Sequence, residues 1–225
     1  MSLDRFGAAI GAFVICVGLY GGDLSNYRGL SLGMSVTAAA KEAGSRPSEI
    51  TTLHQRPVAI QEMQWWPRMP LLADPTKSDP VKDGSLCFYN GELYRIVVNY
   101  NRYKIEGMTA EDMIAGISTV YGAAARPAVE IPYHSSYAES AKVIARWENA
   151  DNSYNLVRTG DQSSFALVLY SKKLDGLAQT AIAEALRLEA QEAPQIELEK
   201  QKRKDDEERV ALESARTANK PNFRP

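Results

Sequence analysis

The chain has 225 residues, enough for one large domain or two small ones. Its 44% hydrophobic and 24% charged composition is that of an ordinary soluble globular protein. A net charge of −2, with no basic stripe interleaved with aromatics, leaves no electrostatic basis for binding nucleic acid.

Residues 1–22 hold an apolar run, 6–20, preceded by Arg5 and followed by Asp23-Leu24-Ser25-Asn26. The run has the length of a signal-peptide core and is short for a spanning helix, which needs about 20 residues. It predicts a signal peptide or an N-terminal anchor. Ile15 is bulky where a lipid-attachment motif centred on Cys16 would need a small residue.

Residues 23–102 form the first predicted unit. Gly33-Met34-Ser35 opens a short helix, with Ser35 as N-cap, a stripe of Val36, Ala39, Ala40 and Ala43, and Gly44 as the stop. A strand over 58–66 follows, ending in Trp65-Trp66. A long proline-bearing loop, 67–83, leads to the strongest local signal in the chain. This is Asn90-Gly91 between two β-rich runs, which predicts a two-residue hairpin over 86–98. Pairing across that turn sets Phe88 against Leu93 and Cys87 against Tyr94. Both hairpin faces carry apolar groups, so neither is marked as the one that meets the helices. Cys87 reads as a small buried hydrophobe, and it is not expected to pair with Cys16.

The second unit, 103–173, repeats the order. Gly107-Met108-Thr109 starts a helix in which Thr109 and Asp112 form a capping box, and Glu111 and Asp112 suit its positive end. Met113, Ile114 and Ile117 recur at helical spacing, with Val120 and Tyr121 one turn on, and Gly122 is placed for a left-handed stop. Strands are predicted over 141–147, 153–158 and 164–170. Each unit is thus a helix and three strands, with Gly33 to Trp65 spanning 32 positions and Gly107 to Trp147 spanning 40.

Residues 174–193 read as a helix packed on the sheet through Leu174, Ala178, Ala181, Ile182, Ala185 and Leu188. Pro194 is expected to interrupt it. Residues 194–225 read as a charged helix or a disordered tail, since 197–209 carry five basic and six acidic residues. Ile196, Leu198, Val210 and Leu212 are too sparse for an apolar heptad seam.

Chemistry is hard to find. His54 and His134 are the only histidines, and neither has metal-ligand spacing or a nucleophile context. There is no glycine-rich phosphate loop, so no catalytic residue, metal or cofactor is expected. The best contact surface is Trp65, Trp66, Arg68 and Met69. Neighbouring strand residues face opposite ways, and exposed Trp and Arg are enriched at binding hot spots.

The two helix starts, Gly33-Met34-Ser35 to Gly44 and Gly107-Met108-Thr109 to Tyr121-Gly122, together with the Phe88 to Leu93 hairpin, resemble the SmpA/OmlA-like lipoproteins of bacterial outer-membrane assembly. They are also similar to the tandem arrangement of the β-lactamase-inhibitor protein. The resemblance covers roughly 29–171 and implies an exported, non-enzymatic module that binds other proteins. Fold class is therefore expected to be α+β: tandem helix-plus-three-antiparallel-strand units with a C-terminal helix. The expected function is a periplasmic or secreted interaction module with a protein partner in the cell envelope. It would touch membrane only through an uncleaved N-terminus. The alternatives are a small hydrolase or inhibitor-like protein using the 67–83 loop and His134, and a scaffold that oligomerises through its C-terminal helix.

Overall fold

A computed structural model describes residues 22–67, 79–135, 138–159, 164–222 and 224. The apolar run, Cys16, Arg68, Met69 and most of the long loop lie outside them.

The protein is α+β. The chain enters through a two-residue hairpin, β1 (Asn26–Tyr27) and β2 (Leu30–Ser31), then forms α1 (Val36–Ala43). Strands β3 (Thr51–His54), β4 (Ile60–Trp65), β5 (Val81–Tyr89) and β6 (Glu92–Tyr100) follow. Then come α2 (Ala110–Tyr121) and strands β7 (Glu130–Ser135), β8 (Ala138–Glu148), β9 (Asn152–Thr159) and β10 (Ser164–Ser171). Helix α3 (Lys172–Asn219) closes the chain with a short 3-10 turn.

All eight long strands form one antiparallel sheet in the order β3-β4-β5-β6-β10-β9-β8-β7. Reading outward from the β6–β10 junction gives the same four-strand meander on each side. Each half therefore has a fourth, outer strand beyond the three expected, β3 in one and β7 in the other. Both were hard to see because β3 is four residues long and β7 contains Pro132.

The helix starts match in detail. Gly33 and Gly107 have φ of +87° and +81°, which glycine adopts without steric cost. The Ser35 Oγ accepts from the Ala38 N–H (3.3 Å). The Thr109 Oγ1 accepts from the Asp112 N–H (3.2 Å), and Asp112 Oδ2 accepts from the Thr109 N–H (2.8 Å), completing the capping box. Gly44 stops α1 in the left-handed conformation. Gly122 differs from expectation: its φ is +82° but its ψ is −160°, a region essentially restricted to glycine. Val120, counted in the apolar stripe, is exposed at the helix end, where its carbonyl accepts from the Gly22 N–H (2.8 Å).

Asn90 and Gly91 take φ of +50° and +82°, as the predicted turn demands. Phe88 does face Leu93, but Cys87 faces Arg95 rather than Tyr94. A β-bulge supplies the extra residue and turns Tyr94 and Arg95 to the same side. A second bulge in β8 puts Ala141 and Val143 on one face and Ala145 and Trp147 on the other.

Both faces of the sheet are covered. On one face the main core packs α1 (Ala39, Ala40, Ala43) and α2 (Met113, Ile114) on Phe88, Leu93, Ile96, Leu156 and Leu167. Tyr27 and Leu30 of the entering hairpin join that core. On the other face Ala178 and Ala181 of α3 pack on Ile60 and Tyr94. The rest of that face closes on itself. Tyr133 Oη donates to Asn99 Oδ1 (2.6 Å) and Arg95 Nη1 donates to the Pro132 carbonyl (2.5 Å), although β7 and β6 stand four places apart in the sheet. The second half therefore curls until β7 stands over β6, enclosing Val97, Ile131, Val143, Val157, Ala166 and Val168.

Helix α3 runs unbroken through Pro194. The expected interruption is absent: proline removes one helical hydrogen bond, and the turns on either side continue. At about 1.5 Å per residue the 48-residue helix is roughly 72 Å long. Its buried contacts, Ala178, Ala181 and Ala185, all fall in its first third. Among the described residues, no helix is long and apolar enough to cross a membrane.

Candidate functional site

Trp65, the last residue of β4, and Trp66, which follows it, take opposite environments. Trp65 is buried in the main core, its ring edge-on to Tyr27 with centroids 6.1 Å apart. It lies against Gly84 of the neighbouring strand, where a Cβ would stand 2.4 Å from the Val97 carbonyl and 2.9 Å from the indole. Glycine there lets the ring lie flat across β5. Trp66 is 59% exposed.

Strand alternation carries Trp66 to the face shared with Gln64 and Glu62, whose side chains are joined by a 3.0 Å hydrogen bond. Farther along that face Asp83 accepts from the Asn99 amide (2.6 Å) and pairs with Lys82 (3.1 Å). The exposed indole thus follows the last paired residue of β4, on the side of Glu62 and Gln64 and clear of the part of the sheet that α3 covers. Arg68 and Met69 belong to the undescribed loop.

Trp147 occupies on β8 the place that Trp65 occupies on β4. It too is buried and meets a tyrosine edge-on, Tyr154, at 6.4 Å. Its Nε1–H donates to the Gly122 carbonyl (2.9 Å), tying the end of α2 to the sheet. Tyr121 and Tyr154 stack with centroids 4.5 Å apart. Burial is the main cause that raises the phenols of Tyr27, Tyr94, Tyr100 and Tyr154, taking Tyr100 up to about 12. Unfolded tyrosine titrates near 10. The raised folded values mean that the stabilisation is complete below about pH 10 and is lost as pH rises toward the folded values. Part of the tyrosinate absorbance, that of these four phenols, should therefore be held back until tertiary circular dichroism is lost above about pH 10. A complete rise in tyrosinate absorbance from all the tyrosines with the fold intact would contradict this.

The charged residue that sequence reading missed is Arg95. It is 4% exposed and belongs to a strand otherwise filled with Leu93, Ile96, Val97 and Val98. Its Nε donates to Asp175 Oδ1 (2.9 Å), Nη2 donates to the same oxygen, and its guanidinium stands 5.3 Å from the centre of the Tyr170 ring. With the Pro132 contact, one side chain joins β6, β7, β10 and the first turn of α3. The available signal was an arginine in the middle of an apolar strand, which burial must supply with a partner.

The histidines stand apart. His54 ends β3, with Nδ1 2.7 Å from Glu189 Oε1 of α3. Beside it Arg56 makes a two-pronged pair with Glu192 (2.6 and 3.1 Å). These contacts fasten α3 where it leaves the sheet. His134 lies in β7, and its side chain is outside the described residues. Cys87 carries a free thiol packed half-buried under α3, and burial pushes it up to about 12, far from a reactive thiolate. Among the described residues no group of three or more His, Cys, Asp or Glu could hold a metal ion. No family model, curated protein or solved structure matches this chain.

Proposed function

We propose that this chain is a non-catalytic protein–protein interaction module of the bacterial cell envelope, exported by or anchored through its N-terminal apolar run, with Trp66 at the centre of its contact surface. The observation that carries the reading is the 59% exposure of Trp66 beside a buried Trp65. An exposed indole directly after a paired strand offers large, two-torsion contact area, which is the property of a hot-spot residue. The neighbouring carboxylates of Glu62 and Asp83 suit a partner with an apolar anchor flanked by Lys or Arg. The curled half-sheet is filled with aliphatic side chains, which makes it a core rather than a binding cavity. The resemblance to outer-membrane assembly lipoproteins points the same way.

The test is capture of envelope proteins by three forms of the chain: the unaltered protein, Trp66→Ala, and a control at the more exposed Tyr103, Tyr103→Ala. Loss of the captured set with Trp66→Ala alone is expected, with folding stability changed by no more than about 0.5 kcal/mol. The same captured set from all three forms would exclude Trp66 as the contact. Recovery of the native protein only in the cytosol would exclude the envelope.

A further inference from the structure

The sheet-packing stripe of α3 does not end where the sheet ends. Leu174, Ala178, Ala181, Ala185, Leu188 and Glu192 are spaced four and three residues apart by turns. The same spacing continues, without a slip, through Gln195, Glu199, Lys202, Asp206, Arg209, Glu213 and Arg216. Positions spaced alternately four and three apart share one face of a helix, the face along which two helices pair in a coiled coil, where they are ordinarily apolar. Here its second half is charged, and every residue of it from Gln195 on is exposed.

The order of the charges is self-complementary when reversed. In an antiparallel pair of these helices centred at position 204, Glu199 meets the partner's Arg209 and Lys202 meets the partner's Asp206. Glu192 meets the partner's Arg216, and Gln195 meets the partner's Glu213. By the two-fold symmetry each contact occurs twice. Flanking the seam, Leu198 lies on one side with the partner's Leu212 and Ile196 lies on the other with the partner's Val210, all of them exposed apolar side chains of the arm. At the two-fold, Lys204 lies two positions from both Lys202 and Asp206 and faces away from the seam. Arg203 on one side and Asp205 on the other stand near their own copies as exposed like-charge pairs, whose repulsion in water is small beside the opposite-charge layers of the seam. A parallel pair would instead set like charge on like charge at every charged layer.

We propose that a second copy of this chain docks antiparallel along α3, residues 192–216, joining two molecules through a charged seam. The contact is independent of the Trp66 surface. It continues the face that α3 already uses on its own sheet. It would bring the partner's Arg216 to the corner where Arg56 and Glu192 fasten the helix. Within one helix Arg209 lies 2.8 Å from Asp206 and Arg203 lies 3.9 Å from Glu207, so these side chains are already extended along the surface. Because the attraction runs between exposed charges, salt screens it.

The test is the solution mass of the full chain by sedimentation, at ionic strengths of about 0.01 M and about 1 M, where the screening length falls from about 30 Å to about 3 Å. A mass near twice 24.8 kDa at low salt, falling to 24.8 kDa at high salt, is expected. Lys202→Glu sets carboxylate against carboxylate twice and should return the protein to one chain at low salt. Lys202→Glu with Asp206→Lys restores opposite charges and should restore the pair, with helix content by circular dichroism unchanged in all three. Association through the N-terminal apolar run would be blind to these exchanges. A single-chain mass at low salt, a pair that Lys202→Glu leaves intact, or a loss that Asp206→Lys does not repair would each overturn the proposal.

Discussion

Arg95→Ala should lower folding stability by about 3–5 kcal/mol, the usual effect of removing one partner of a buried ion pair. Asp175, 13% exposed at its side chain, would be left without its counter-charge, and the Pro132 carbonyl would lose its donor. The effect should be large because one guanidinium fastens three sheet strands and a helix. It should also be recoverable. Replacing the pair by apolar residues of similar volume, Arg95→Met with Asp175→Leu, removes the unpaired charge and should restore most of the stability. Urea unfolding of the single and double variants decides this. A single variant within about 1 kcal/mol of the unaltered protein would mean that the pair is solvated and that α3 is held by its apolar stripe and its contacts to His54 and Arg56.

Trp65→Ala and Trp147→Ala should each cost about 3–5 kcal/mol, the range for emptying a buried tryptophan site. The two indoles lie in one apolar cluster although 82 positions separate them (147 − 65). Each variant should therefore weaken the whole molecule and keep a single unfolding transition. Trp147→Ala carries an added loss, since the Gly122 carbonyl gives up its indole donor. Two resolved transitions, with only one of them shifted by each substitution, would show two independent domains. Fluorescence and far-ultraviolet circular dichroism followed together in guanidinium make the comparison.

The parts of this fold that were legible in the sequence are those set by local chemistry. Thr109 and Asp112 cap a helix because a hydroxyl and a carboxylate lie three residues apart. Asn90-Gly91 turns a hairpin because both residues tolerate positive φ. The tandem order was readable because Gly33-Met34-Ser35 and Gly107-Met108-Thr109 solve the same local problem twice. What stayed hidden depends on distant partners. The bulge that sends Tyr94 and Arg95 to one side is a property of the pairing between β5 and β6, not of either strand. Strand β3 is too short to show a period. The curl that brings Tyr133 to Asn99 follows from the bulge in β8 and the closure of the sheet. Pro194 was misleading because a strong helix on both sides outweighs one missing hydrogen bond. At the contact surface, alternation alone places Trp65 and Trp66 on opposite faces. It does not say which indole stays in water, because that depends on where α3 crosses.

Native-state hydrogen exchange of the β6–β10 ladder is the most direct measurement of the claim that the two halves share one interior. Val97 faces Val168 and Val98 faces Leu167 across that junction. Backbone amides bonded across it should be among the slowest in the molecule and should exchange only by global unfolding, with one common dependence on denaturant. Fast exchange at the junction, or β6 and β10 opening with different denaturant dependences, would show two halves that merely adjoin.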